Sequence, residues 1–448
     1  MMTSPMINVL VSDDNTEREL ANYAPVPSCV KIRFAEPDAN VNNDLEYIEG
    51  FIGHKLHPLV LDFYNIALAV YMADLQIKKN AKVGCRTISI LTSVSDVSKW
   101  KLVKQKLEGT LRFLSGDNFK FYFIQSGQPS SPFRFEEKDK RVVSLLSGGL
   151  DSLSGVKWLL DHEMEPVLIS HCAQNRICRV QNILASELEN ITSRKFLHCQ
   201  ISARPKLGKK LFAKEYSEPC RSFLYLTLGI IFALELGIKR LFIFENGVLA
   251  LNIPITQSRI YLNTRTTHPV FVSSYTALIS DIFGAMISIE NPFLDLTKGE
   301  VIANLNHDGF RELVKDTVTC ATTSFRYQGI STSEYSHCGI CLPCLLRRIA
   351  IHYSGLCDKD AKYAFDILSE YSTIPNEGKK LIFEMLDFGY RLDQCKTDDV
   401  VISEFPQFLI ENFDPAPLIA MYRRQIIQTK EFLKQKAQDS LKQNLPWL

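Results

Sequence analysis

Apolar positions along the chain repeat with two periods, and the places where one gives way to the other mark its elements. In the first third, 7–11, 30–34, 87–92 and 119–124 are short runs of strand type, while 58–77 and 98–114 carry the three-to-four spacing of helices. A stretch rich in turn formers, GQPSSPFRFEE at 127–137, then reads as a linker. Beyond it strand-like runs at 142–146, 166–170, 195–201 and 240–244 alternate with helical segments at 153–160, after 171–176 through 188, and at 223–236. That alternation predicts an α/β fold, a doubly wound parallel sheet with helices on both faces. The tail carries helical periodicity at 361–370, 377–392 and 419–442. The chain thus divides into an N-terminal α/β accessory domain (1–140), a sheet domain (141–352) and a helical C-terminal extension (353–448). The longest apolar stretch, 223–238, is too short to span a bilayer and contains Glu235, so it reads as a buried helix and no transmembrane segment is predicted.

Candidate chemistry is densest where the first strand of the sheet domain meets its helix. Ser147-Gly148-Gly149-Leu150-Asp151-Ser152 lies between them. A helix start offers unpaired N–H groups and partial positive charge, and two glycines let backbone approach an anion without Cβ obstruction. Such a turn cradles phosphate. Ser147 and Ser152 add hydroxyl donors, and Asp151 can hold a divalent cation against bound phosphates. No Gly-Lys-Ser/Thr follows, so the Walker pattern is excluded. In a parallel sheet ligands sit at the carboxyl ends of strands, which places the segments after 146 and 170 on one crevice. Glu245-Asn246-Gly247 ends the 240–244 strand and faces the same crevice. Arg265 carries a fork that suits a carboxylate or phosphate. Thr297 and Glu300 form a capping box, which sets Lys298 at the first helical position within reach of a phosphate. His54 and His57 lack a third ligand and read as surface groups. His268 is equally compatible with a structural role, and the basic segment 204–214 with a lid or, more plainly, a solvated loop.

Composition narrows the class. Lys and Arg total 51 against 50 Asp and Glu, a balance that argues against nucleic acid or an anionic membrane as partner. The N-terminus lacks a basic start and apolar core, which predicts a cytoplasmic protein. Twelve cysteines then suggest reduced thiols rather than a disulfide framework. Cys338, Cys341 and Cys344 repeat every third residue, and Cys320 supplies a fourth thiolate. Tetrahedral Zn2+ in a closed structural site fits this set, with an iron–sulfur cluster as the competing occupant. Cys172, Cys178 and Cys199 have no such spacing and read as core residues.

SGGLDS in this setting resembles the loop of the ATP-pyrophosphatase (PP-loop, adenine nucleotide alpha hydrolase-like) superfamily. The resemblance implies cleavage of ATP between the α- and β-phosphates and an adenylated carboxylate or carbonyl. Followed by a lone cysteine and CGICLPCLLRR (338–348), it resembles the 7-cyano-7-deazaguanine synthase family, QueC. LISHCAQNR (168–176), CRSFLYLTLGIIFALELG (220–237) and LTKGEVI (296–302) extend the likeness over about 141–352. It implies ATP, Mg2+ and Zn2+ as cofactors, with ATP on Ser147, Gly148, Gly149, Leu150, Asp151, Ser152 and Ser170. Asp151, Ser152 and Lys298 are the implied catalytic residues, and Arg221, Glu245, Asn246, Gly247 and Arg265 face a deazapurine substrate. The family activates 7-carboxy-7-deazaguanine with ATP, forms the amide with ammonia, and dehydrates it to the nitrile. VLALNIPITQSR (248–259) and Arg221-Ser222 depart from the family pattern where the acceptor should bind, which leaves amine and product open. A QueC-like core behind an N-terminal domain of this size resembles the QueC-like proteins of antiphage operons, QatC and its type IV CBASS counterpart. That likeness implies a protein partner from a defence operon and an amide between base and protein. The alternatives are a free 7-cyano-7-deazaguanine synthase, a tRNA-thiolating PP-loop enzyme, and a non-catalytic nucleotide-sensing scaffold. Thiolation needs a redox-competent cysteine pair and is favoured by a basic RNA surface.

Overall fold

A computed structural model describes residues 6–19, 22, 24–34, 37–79, 85–127, 131–206, 218–255, 265–307, 309–319 and 336–445. The N-terminal part runs β1 (Met6–Val11), α1 (Asp14–Glu19), β2 (Ala24–Ile32), β3 (Val41–Asn42), α2 (Leu45–Ile52), α3 (Pro58–Gln76), β4 (Thr87–Val94), α4 (Val97–Ser115) and β5 (Asn118–Gln125). Its sheet is parallel, in the order β2-β1-β4-β5. Helix α3 is apolar on all sides and long enough by composition to cross a membrane, but it lies inside the core. A helix with no polar face must be covered on every side. The reason is visible at Phe63, whose ring meets Trp100 of α4 on one side and Phe223, Tyr275 and Phe283 of the sheet domain on the other.

The sheet domain continues with β6 (Val142–Leu145), α5 (Leu150–Asp161), β7 (Pro166–His171), α6 (Asn175–Thr192), β8 (Leu197–Ile201), β9 (Arg204–Pro205), α7 (Arg221–Leu236), β10 (Arg240–Phe242), α8 (Gly247–Leu251), α9 (Pro269–Phe283), β11 (Ser288–Glu290), α10 (Lys298–Ala303), α11 (Phe310–Leu313) and α12 (Leu342–Tyr353). Five strands pair in parallel in the order β11-β10-β6-β7-β8, with helices packed against them. This is the α/β architecture the alternation predicts. The order reverses between β6 and β10, so the crevice at that switch point lies between the turn after 146 and the turn after 244.

The N-terminal sheet and the sheet domain share one hydrophobic cluster, from Val9 through Phe121 to Val143, Phe232 and Ile287. Polar clasps reinforce it. Asp74 at the end of α3 accepts from Arg86 Nη2 at 2.5 Å and from the Cys220 N–H at 2.8 Å, and so fixes the start of α7. Asp44 accepts from the Ser202 N–H at 2.5 Å, and β3 pairs antiparallel with β9. Within the predicted linker (127–137) Phe133 packs on His57 and Phe283, and just after it the N–H groups of Lys138 and Asp139 both donate to Gly237 O. His57 caps α3 rather than lying idle, since its Nδ1 accepts from the Leu59 N–H.

The extension contributes α13 (Asn376–Gln394), α14 (Asp398–Glu404), α15 (Pro415–Lys436) and α16 (Asp439–Lys442) around a second apolar cluster. The helix predicted at 361–370 does not form. The N–H groups of Ala364 and Phe365 donate instead to His337 O and Cys338 O, and Asp366 closes a local turn by accepting from the Leu368 N–H. Backbone committed to the cysteine knuckle is lost to a helical ladder. Of the basic segment 204–214, only 204–206 lies within the described residues.

Candidate active site

The phosphate-loop turn keeps its helix start open. Gly148 has a φ of +89°, and a Cβ there would stand 3.2 Å from Val180 Cγ1, so the position needs glycine. Gly149 is the N-cap of α5 and makes no side-chain cap, which leaves first-turn N–H groups pointing at the crevice. Ser147 Oγ donates to Ser152 Oγ at 3.1 Å, and Ser152 Oγ donates to Gly149 O at 3.0 Å. Leu150 is buried beneath the turn.

Asp151 is the meeting point of three elements. Lys298 Nζ donates to its Oδ2 at 2.7 Å and Asn246 Nδ2 donates to the same oxygen at 3.0 Å. The lysine is 1 % exposed, the aspartate 7 % and the asparagine 0 %. Burial pushes the Asp151 carboxyl up, but the charge of Lys298, then hydrogen bonds from Glu245, Lys298 and Asn246, outweigh it and hold the group below the usual range. Glu245 moves the other way, raised first by burial and then by the charge of Asp151. Asp151 Oδ1 is buried and accepts from no N–H group. Two carboxyl groups in contact, one with an oxygen lacking such a donor, fit a shared divalent cation.

Local sequence explains how each group arrives. Asn246 caps α8 by accepting from the Leu249 N–H at 3.3 Å, and Gly247 is demanded because a Cβ there would stand 2.1 Å from Leu294 O. The capping box at Thr297 and Glu300 forms as predicted, with the Thr297 N–H donating to Glu300 Oε2 at 2.8 Å. It fixes Lys298 at the first position of α10.

Ser170 lies directly below. Its Oγ donates to Leu146 O at 2.8 Å and accepts from His198 Nε2 at 2.9 Å, so its hydroxyl ties β7 to β6 under the turn. Arg221 opens α7 half-exposed, 3.5 Å from Glu218, and its charge helps depress His171, which burial holds at about 4. Arg265 is not brought to Asp151: its Nη1 donates to Phe113 O at 2.9 Å and its guanidinium stacks on the Phe113 ring of α4. His268 caps α9 by accepting from the Val270 N–H.

Two supporting residues escape a sequence reading. Gln181, buried, donates to Ser147 O at 3.3 Å and His171 O at 3.1 Å, and so holds the turn from behind. Arg347, also buried, donates to Val314 O at 2.8 Å, Thr317 Oγ1 at 2.8 Å and Asp360 Oδ1 at 2.9 Å. The segment it grips returns to the turn, where the Val318 N–H donates to Gly148 O at 2.9 Å. Arg347 closes the CGICLPCLLR pattern, and that position was the available clue.

Cys338, Cys341 and Cys344 bring their sulfurs within 4.8 Å of one another. Three clustered thiols suit a soft metal ion such as zinc. Cys320, the expected fourth ligand, lies outside the described residues. His337 is engaged elsewhere: its Nε2 accepts from the Thr319 N–H at 3.1 Å. One expectation is corrected. Cys172 and Cys178 form a disulfide across the turn between β7 and α6, because strand end and first helical turn bring their Cα atoms to 4.9 Å. Cys199 is buried in the core as expected.

Residues 170–355 match the family model described as queuosine biosynthesis protein QueC. The match takes in Glu245, Asn246, Gly247, Lys298 and the three clustered cysteines, and begins after the phosphate-loop turn. No curated protein matches the chain. Residues 170–355 are thus similar to QueC, and the parallel sheet with its flanking helices fits an α/β fold of PP-loop type.

Proposed function

We propose that the chain adenylates the carboxylate of 7-carboxy-7-deazaguanine and passes the acyl group to an amine. The observation that carries this reading is the Lys298–Asp151–Asn246 cluster, buried beside an uncapped helix start at the switch point of the sheet. A carboxylate oxygen attacks the α-phosphorus of ATP, the bond between the α-phosphorus and the bridging oxygen breaks, and pyrophosphate leaves onto the N–H groups around Gly148 and Gly149 and the hydroxyls of Ser147 and Ser152. The amine nitrogen then attacks the acyl carbon, loses one proton to solvent, and AMP departs with one carboxylate oxygen. Donors aimed at the departing charge are worth most in a site closed to water. Mg2+ held by Asp151 and Glu245 would neutralise the pyrophosphate as it forms. Zn2+ on Cys338, Cys341 and Cys344, with Cys320 as fourth ligand, would be structural.

The acceptor in this reading is an amine on a partner protein, in an antiphage setting. Supporting it, the departure at 248–259 begins within α8, and the extension packs on that helix through Tyr422 and Met421. Pyrophosphate–ATP exchange that depends on the deazaguanine acid tests the activation half. A mass increment on a co-expressed operon partner tests the transfer half, and free nitrile with an unmodified partner would reject it.

Glu245 makes cation binding pH-dependent. Its raised carboxyl keeps a proton that a cation must displace, so apparent Mg2+ affinity should rise with pH by up to about tenfold per unit until Glu245 ionises. Titration calorimetry with Mg2+ across pH should show this slope in the native protein and its loss in Glu245→Gln.

A further inference from the structure

Helix α15 belongs to the extension, outside the matched region, yet it touches both elements that deliver groups to Asp151. A Cβ on Gly247 would stand 2.6 Å from Met421 Cε. Tyr422, buried, donates from its hydroxyl to Val248 O at 3.2 Å and accepts from the Ile253 N–H at 3.3 Å, which clamps both ends of α8. Arg424 then reaches α10. Its Nε donates to Glu300 Oε1 at 2.6 Å, and its Nη2 to Glu300 Oε2 at 3.1 Å and Asp295 O at 2.8 Å. One turn later Gln428 Oε1 lies 2.9 Å from where a Cβ on Gly299 would sit.

We infer that α15 is a working part of the site, and that Arg424 is a positioning residue for Lys298, acting through Glu300. The physical case rests on what sets the first turn of α10, since Val301 and Ile302 anchor its later residues in the core. The helix has six residues, too few to stand by its own hydrogen bonds, so its N-terminal register depends on the capping box. Glu300 serves that box with the same carboxylate that Arg424 grips at two points. A two-point guanidinium contact fixes the carboxylate plane, which a single hydrogen bond does not. Freed from Arg424, Glu300 can turn away from the Thr297 N–H, and Lys298 shifts with the first turn of its helix.

This inference rests on the proposed role of the Lys298–Asp151 pair, so its test includes a readout that needs no turnover. Native protein, Arg424→Gln, Arg424→Lys, Glu300→Gln and the Arg424→Gln/Glu300→Gln double variant are treated with an amine-reactive ester, and Lys298 acylation is followed by peptide mass spectrometry. Lys298 in Arg424→Gln should react about tenfold faster than in the native chain, Arg424→Lys should fall between them, and the double variant should match the faster single one. In the AMP assay Arg424→Gln should lose about tenfold or more in kcat with KM for ATP within about threefold. Should Arg424→Gln precipitate, Arg424→Lys carries the same comparison. Unchanged Lys298 reactivity, or additive effects in the double variant, would overturn the inference. A native chain that makes no AMP would reject the proposed function and leave the acylation result standing.

Discussion

Replacing Asp151 by Asn is expected to lower AMP formation by about 10²–10³-fold, the range seen when one group that stabilises developing charge is removed. The side chain keeps its volume but loses the charge that anchors Lys298, takes the Asn246 amide and would hold a cation. Lys298 would then be buried beside a neutral amide, and leaving one partner of a buried pair costs about 3–5 kcal/mol unless the survivor changes protonation. The substitution leaves the apolar core around the site intact. The variant should therefore fold, with a modest loss in Tm, bind ATP through the turn, and fail to turn it over. Nucleotide binding by titration calorimetry beside an AMP assay separates the two effects. A variant retaining a tenth of native turnover would remove Asp151 from the reaction.

Why this aspartate could be picked out before the fold was known, and its partners only in part, has a physical reason. Ser147 to Ser152 is a contiguous turn whose glycines and helix start are local properties, and the capping box at Thr297 and Glu300 is local too. The Lys298–Asp151 pair joins positions 147 apart in sequence, and only the sheet order brings them together. Arg265 shows the converse: a hydrogen-bonding fork in a polar segment is no evidence of direction, and it faces Phe113. Cys172 and Cys178 were misread because their spacing matches no metal knuckle, while a strand end and a first helical turn bring such residues close. The role of α15 was invisible for a different reason, since its amphipathic pattern records burial but not what is buried against it.

Removing one thiolate from the knuckle is expected to have the second large effect. Cys344→Ser should abolish stoichiometric zinc and lower Tm by on the order of 10 °C, because metal binding in such sites is coupled to folding. The loss should spread to the active site along a defined route. Cys344 lies in the first turn of α12, Arg347 follows on the same helix, and Arg347 holds the segment whose Val318 N–H reaches Gly148 O. ATP affinity should therefore weaken with the stability. Elemental analysis, a thermal melt and ATP titration on the same sample check all three, and a metal-free Cys344→Ser protein with native Tm would refute the structural role. Iron with acid-labile sulfide in the native protein would instead assign the site to a cluster.

The proposed reaction uses nucleotide energy to join AMP to a carboxylate. It is tested most directly by following an oxygen atom. The protein, with its partner or with ammonia supplied, is incubated with ATP and 7-carboxy-7-deazaguanine labelled with ¹⁸O in its carboxylate, and the nucleotide products are weighed. The expected result is AMP carrying one labelled oxygen together with unlabelled pyrophosphate. Label in inorganic phosphate with ADP as the nucleotide, or AMP without label, would contradict it.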